Sequence, residues 1–391
     1  MEHRFTYLQT CPVYFGEGSA AEAGAKMQAL GCRSVLLVCD KNGAKFGLAD
    51  RVRAGFRDTG ITLVQFDDVS PDPADTMVDH CARIARDACL EGVVGVGGGS
   101  VLDTAKAVSV LLRNEGSVRD HMKPNLPPNP GAPLILIPTT AGTGSEVTNV
   151  GVITHTGKNL KIGVECQATL AILDPTLTYS VPPEVTAETA MDALAHAAEC
   201  VTGTVANPHA DTLALEAIRT ILDCLPRAVA DGGDAEARRG LCLASSLAGI
   251  AFSETMVHVG HAMSQGMGAR LHISHGAGCA LCLPAALEYA APAVPGRLAK
   301  VAAALGLLVE EGTAPEELGR RVADFLCAFM DRVGIRSLRE RGFTREAVVA
   351  CAEAAMEDFL VDYCPTPVTL ENVREMYRRI YGYERKGTDN P

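Results

Sequence analysis

The sequence predicts two domains: an α/β N-terminal domain with an open, mostly parallel sheet over residues 1–180, and an all-helical domain over residues 181–391. Three observations carry this expectation. Near-continuous apolar runs at 34–40, 62–66, 92–97 and 133–140 have the composition of strands buried on both faces of a parallel sheet. Between them, residues 74–89 and 103–112 carry the apolar period of covering helices. Beyond Tyr179 strand-like alternation stops, and long Ala/Leu-rich segments take over.

Taken in order, the run SVLLVCD ends on an acid, Asp40, at the carboxyl end of its strand. The 92–97 strand runs into Gly95-Val-Gly97-Gly98-Gly99-Ser100, ahead of a helix beginning near Asp103. Glycines there let backbone amides close on a pyrophosphate at a helix N-terminus, although such turns also serve tight strand-to-helix packing. In the common dinucleotide fingerprint an acid follows the glycines by about 20 residues. Here Asp40, the candidate acid, precedes them. The 133–140 strand leads into PTTAGTGSEVT at 138–148, whose five hydroxyls and two glycines suit phosphate and ribose oxygens. Both loops follow buried strands, so both belong at the carboxyl edge, where open α/β sheets bind ligands. Val181-Pro182-Pro183-Glu184 stops the sheet domain and opens the first long helix. Breaks near 207–208, 231–234, 292–295 and 312–315 divide the rest.

At 391 residues the chain exceeds what one core usually supports. A formal charge of −12 speaks against a nucleic-acid partner. No apolar run reaches the ~20 residues needed to span a bilayer, so no membrane partner is expected. Met1-Glu-His-Arg-Phe-Thr lacks a charged-then-apolar signal, and a cytoplasmic protein is expected. The fourteen cysteines then read as reduced thiols, and the C-x-x-C pair Cys279/Cys282, with apolar flanks and no second pair, reads as core packing.

In the helical half, Asp192 and His196 lie four apart, on one face of a helix. With His261 and His275 they offer one carboxylate and three imidazoles, a set suited to Fe²⁺ or Zn²⁺ with a position left open for a substrate oxygen. Singly, each also reads as a surface acid or a satisfied core histidine, and spacing alone does not bring the segments together.

Six ordered motifs do so. GGGSVLD at 97–103, PTTAGTGSEVT at 138–148, ILDP at 172–175, MDALAHAAE at 191–199, HAM at 261–263 and SHG at 274–276 resemble the iron-containing (group III) alcohol dehydrogenase family over nearly the whole chain. The resemblance implies the architecture shared with dehydroquinate synthase: a dinucleotide domain and a helical metal-binding domain. It implies reversible hydride transfer between NAD(H) and a small alcohol/aldehyde pair, with Asp192, His196, His261 and His275 as catalytic metal ligands. Fe²⁺ is the expected ion, and the same set takes Zn²⁺. Gly97, Gly98, Gly99 and Ser100, with Asp103, match the pyrophosphate loop. Thr139, Thr140, Thr143 and Lys158 match further cofactor contacts, with Lys161 close to the same register. Asp40 matches the ribose position, and its charge would repel a 2′-phosphate, so NAD is expected over NADP. A homodimer or larger assembly is expected.

Three departures from the family pattern are visible. The second histidine of the HAM segment is Gln265, which cannot move a proton. A relay would then use water, the cofactor ribose, His258 or His272. Ala190 replaces a glycine before Asp192, and Cys364-Pro365-Thr366 replaces an Asn-Pro-Arg loop. Asn149, His258, Gln265 and Arg270 are the substrate-side candidates, and Arg270 or a histidine facing the substrate would favour an anionic aldehyde. The rival readings are a lyase of the dehydroquinate synthase type and a non-catalytic metal- or nucleotide-binding homologue.

Overall fold

The computed structural model describes residues 4–9, 11–158 and 160–383. These fall into two compact units, one within Thr10–Val181 and the other within Pro182–Pro391 together with Met1–Gln9.

The first unit is built on a six-stranded parallel sheet of β1 (Val13–Phe15), β2 (Ser34–Asp40), β3 (Thr62–Val69), β4 (Gly92–Gly97), β5 (Leu134–Pro138) and β8 (Leu170–Leu173), in the order β1-β8-β5-β4-β2-β3. The centre of the sheet is fully enclosed: every residue of β4 and β5 is buried, which is why these strands read as unbroken apolar runs. Helices α1 (Ala23–Ala29), α2 (Lys41–Lys45), α3 (Leu48–Ala54), α4 (Asp75–Asp87) and α5 (Gly99–Leu111) alternate with the strands. One core cluster joins Met27, Val35, Leu37, Val94, Ile135 and Ile172. From β2 the chain moves outward to β3, whereas from β4 it moves the other way to β5. The topological switch point therefore lies between β2 and β4.

Three features of the sheet unit differ from the sequence expectation. β3, expected to be buried on both faces, is a half-exposed strand at the sheet edge. α5 begins at Gly99 rather than near Asp103, so Gly99 and Ser100 form its first turn. An antiparallel hairpin, β6 (Val150–His155) and β7 (Leu160–Glu165), packs against α5. Its alternating, half-exposed strands lack the apolar runs that mark the sheet.

The second unit is helical among its described residues. α6 (Pro183–Thr202) starts with proline at its first position, α7 (Pro208–Ala230) is capped by Asn207, and α8 (Ala235–Thr255) is capped by Asp234. α9 (Val259–Leu271) and α10 (His275–Ala290) follow and pack against each other, and α10 also lies along α6. Residues 4–9, placed in the sheet domain by sequence, join this unit instead. The Leu8 amide donates to the Glu254 carboxylate at 3.0 Å, Asn207 Nδ2 donates to the Thr6 carbonyl at 3.1 Å, and Tyr7 stacks on His209. All fourteen cysteines are free thiols. Among the described residues, no single helix is long and apolar enough to cross a membrane.

Candidate active site

The helical unit gathers the four side chains that the sequence left apart. α6 is buried along most of its length, and its alanines let α10 lie close beside it. Asp192 and His196, one turn apart, then face the α9 and α10 N-terminal turns that carry His261 and His275. Asp192 Oδ1 lies 3.8 Å from His196 Nε2, 3.7 Å from His261 Nε2 and 3.6 Å from His275 Nε2. The side chains of Asp192 and His261 are each 3 % exposed and that of His196 6 %, whereas His275 is 38 % exposed and marks the open side. Phe252 of α8 stacks on the His196 ring at 4.2 Å, and His261 stacks on the same ring at 4.6 Å.

Asp192 Oδ1 and His261 Nε2 are buried and have no hydrogen-bond partner. Such orphans are costly inside a protein. The donor atoms of Asp192, His261 and His275 lie within 4.8 Å of one another, and His196 Nε2 stands 3.8 Å from Asp192 Oδ1, a set of one oxygen and three nitrogens that fits a divalent cation. The charges of the cluster act strongly on one another: burial would lower His261, but Cys279, Glu199 and Asp192 outweigh it and hold the ring above the usual imidazole range, as Cys279 and Asp192 do for His275. Burial alone would raise the Asp192 carboxyl, but the imidazoles of His196, His275 and His261 outweigh it and hold it well below the usual range. Burial pushes His196 down to about 4 despite Asp192, which keeps its nitrogens available as donors.

Glu199 was missed as a site residue, although it closes the motif at 191–199. It is fully buried, seven residues after Asp192 on the same helix face. Its Oε1 lies 3.0 Å from His261 Nδ1, and its Oε2 accepts from the His258 amide at 2.6 Å. Burial would raise this carboxyl, but His261 and His258 hold it at about 2. The ionised carboxylate fixes the His261 ring with Nδ1–H toward it and Nε2 toward the cluster. Gly260 makes room for it, since a Cβ there would stand 2.3 Å from Glu199 Oε1. His275 is steadied from α9: Ser264 Oγ donates to the His275 carbonyl at 3.0 Å and lies 3.5 Å from its Nδ1. Ser274 sits at the N-cap of α10, but its hydroxyl donates to Glu188 instead of capping.

In the sheet unit the expected cofactor residues meet at the switch point. Asp40 ends β2, Gly97 ends β4, and Pro138-Thr139-Thr140 leave β5, all at neighbouring carboxyl ends. The Thr139 amide donates to the Gly97 carbonyl at 3.0 Å and joins the two loops. Gly98, Gly99, Ser100, Thr140 and Thr143 are half-buried there. A Cβ on Gly99 would meet Thr143 Cγ2 at 2.8 Å, so only glycine allows this approach. The Val101 and Leu102 amides bond back to the Gly98 carbonyl, and the Gly99 and Ser100 amides open α5 at the sheet edge, where a helix N-terminus suits an anion. Asp40 also caps α2, accepting from the Gly43 amide at 2.6 Å.

The remaining candidates lie in varied settings. Asp103 lies within α5, and its Oδ1 accepts from Ser145 Oγ at 2.6 Å, bracing the second loop against that helix. Lys158 is exposed in the turn of the β6–β7 hairpin, and Lys161 is engaged by Asp72 at 2.6 Å. His258 is fully buried with Nε2 3.0 Å from Thr202 Oγ1. Arg270 stands exposed in the last turn of α9, where its charge acts on Glu353. His272 is exposed, in a left-handed conformation just after α9. Asn149 is exposed ahead of β6, its carbonyl accepting from the Cys166 amide. Gln265 is half-buried one turn after His261. Cys279, read as core packing, instead has its Sγ 3.5 Å from His275 Nε2.

An open parallel sheet with glycine loops at its switch point, followed by a helical unit holding a carboxylate–imidazole cluster, describes a class of two-unit oxidoreductases. Family models agree on both parts. Residues 12–175 match iron-containing alcohol dehydrogenase, and residues 186–381 match the C-terminal region of the Fe-containing alcohol dehydrogenase family. Choline dehydrogenase of Bacillus subtilis is 36 % identical, over 98 % of this chain and 94 % of that protein. The crystal structure of 1,3-propanediol oxidoreductase superposes with a TM-score of 0.91 at 32 % identity, over 96 % of this chain and all of that one. Sulfoacetaldehyde reductase from Bifidobacterium kashiwanohense, solved with NAD⁺, gives a TM-score of 0.88 at 31 % identity, over 97 % and 100 % of the two chains. The chain belongs to the iron-containing alcohol dehydrogenase family, a family of oxidoreductases.

Proposed function

We propose that this enzyme interconverts a small alcohol and its aldehyde by metal-assisted hydride transfer to and from NAD(H). The observation that carries the reading is the ring of three imidazole Nε2 atoms at 3.6, 3.7 and 3.8 Å from the buried Asp192 Oδ1, with Glu199 behind His261. Asp192, His196, His261 and His275 would hold Fe²⁺ or Zn²⁺, and such an ion acidifies an alcohol and polarises a carbonyl. NAD(H) would supply the hydride acceptor or donor, held by the α5 amides, Gly97–Ser100 and the Thr139–Thr143 loop, with Asp40 at the ribose. The protein's own work is orientation and water exclusion, and it needs no nucleophilic serine or cysteine.

The test combines metal content with NADH formation on a panel of neutral and anionic alcohols. His261→Ala and Asp192→Asn should lose both the ion and turnover. A variant that keeps a full complement of metal would remove that residue from the ligand set. Asp40→Gly should raise turnover with NADP relative to NAD, and an unchanged cofactor ratio would place the ribose elsewhere.

A further inference from the structure

We propose that Cys279 is a thiolate donor to the same ion, which makes this a mixed carboxylate–imidazole–thiolate site. The inference rests on the metal reading above and deepens it. His275 and Cys279 lie one turn apart on α10 and point from the same face. The Cys279 Sγ is 3.5 Å from His275 Nε2, and the donor atoms of Asp192, His261, His275 and Cys279 all lie within 4.8 Å of one another. With His196 the shell has five protein donors, and neighbouring donors of such a shell, at bonds of about 2.0–2.3 Å, stand roughly 2.8–3.8 Å apart. Sγ to His275 at 3.5 Å, His275 to Asp192 at 3.6 Å and His261 to Asp192 at 3.7 Å all fall inside that range.

The second, independent observation is the pair of buried orphans, Asp192 Oδ1 and His261 Nε2, which belong to this same set of four. Cys279 is enclosed by a carboxylate and two imidazoles, whereas a core cysteine is enclosed by carbon. Its C-x-x-C partner Cys282 shows the contrast: it is fully buried and belongs to no such cluster. A thiolate donor is soft, so it biases the site toward Zn²⁺ and away from Fe²⁺ relative to a site of oxygen and nitrogen alone.

The full chain, stripped by a chelator and reloaded anaerobically with Co²⁺, tests this without any activity assay. One cobalt per chain with a near-ultraviolet sulfur-to-cobalt charge-transfer band is expected. The band should vanish in Cys279→Ser and Cys279→Ala and persist in Cys282→Ala. X-ray absorption of the Zn²⁺-loaded wild-type chain should show a sulfur neighbour at about 2.3 Å, a measurement that needs no variant. Cobalt bound at one per chain without the band, or a band that survives Cys279→Ala, overturns the thiolate and leaves the metal reading standing. A wild-type chain that takes up no cobalt overturns both.

Discussion

Glu199 shows how one carboxylate can govern a site without touching its ion. It is ionised inside the protein because His261 and His258 face it, and it returns the favour by fixing the ring of His261. Glu199→Gln keeps the shape and removes the charge. Metal affinity should fall about 10–100-fold, read by competition with a chromophoric chelator, while the circular dichroism spectrum is unchanged. Unaltered affinity would mean that His261 is oriented by something else. Gln265 argues in the opposite direction, since it places a group that cannot titrate one turn after His261. Gln265→His should add an inflection near pH 6.5 to the rate of alcohol oxidation, where an unperturbed imidazole titrates. A profile identical to wild type would show that position 265 takes no part in proton movement. Asp192 and His196 were legible in sequence because a four-residue spacing on an alanine-rich helix fixes their geometry. Glu199 sits on the same face, and an acid on an otherwise apolar stripe was the signal that could have found it. Cys279 could not be found that way, because its flanks are those of a core residue and its polar neighbours come from other helices.

At the scale of elements, the strands that were legible are enclosed on both faces, except β3, read from the run at 62–66, which is a half-exposed edge strand. β2, β4 and β5 carry apolar runs because covering helices leave their side chains no access to water. β1 has three residues and a half-exposed pattern, β8 has only four, and β6 and β7 are half-open, so none left a run to read. The glycine loop was legible as composition, but its purpose came from topology, which set it beside Asp40 and the Thr139–Thr143 segment. Gly99→Ala should press a methyl into Thr143, an overpacking cost of about 1–3 kcal/mol. NADH affinity, measured by fluorescence titration, should fall at least tenfold while metal content stays the same. Unchanged affinity would take the loop contact out of cofactor binding. The start of α4 offers a pH test. Burial would raise the Asp75 carboxyl, but hydrogen bonds from Arg119 and Thr156 lower it from 3.8 to about 2. Because its folded value is depressed, the stabilisation is complete above pH 3.8 and is lost as the pH falls through 2. Arg119 is 42 % exposed, which tempers the effect to about 1–2 kcal/mol. Asp75→Asn should therefore unfold earlier than wild type at pH 6, with the gap closing toward pH 2. A gap that persists at pH 2 would point to packing rather than charge.

For the whole molecule, the sequence places the two halves of the chemistry in two compact units. The residues expected at the dinucleotide, from Asp40 to Thr143, lie in the sheet unit, and every donor around Asp192 lies in the helical one. That division predicts how the chain answers to metal removal. The empty cluster would leave Asp192 Oδ1 and His261 Nε2 buried without partners, so the helical unit should lose stability. A ligand present at 100 times its dissociation constant contributes about 2.7 kcal/mol, and the loss should appear as a lower first unfolding transition in calorimetry of the chelated protein. The sheet unit has no donor in that cluster, and its loops are braced by their own contacts, Thr139 to Gly97 and Ser145 to Asp103. NADH should therefore still bind the chelated chain with a dissociation constant within a few-fold of the loaded enzyme, although turnover is gone. The two readouts separate cleanly, because calorimetry follows the helical unit and cofactor fluorescence follows the sheet. If chelation instead abolished NADH binding while the first transition stayed in place, the ion would have to serve the dinucleotide site, and the assignment of donors to the helical unit would be wrong.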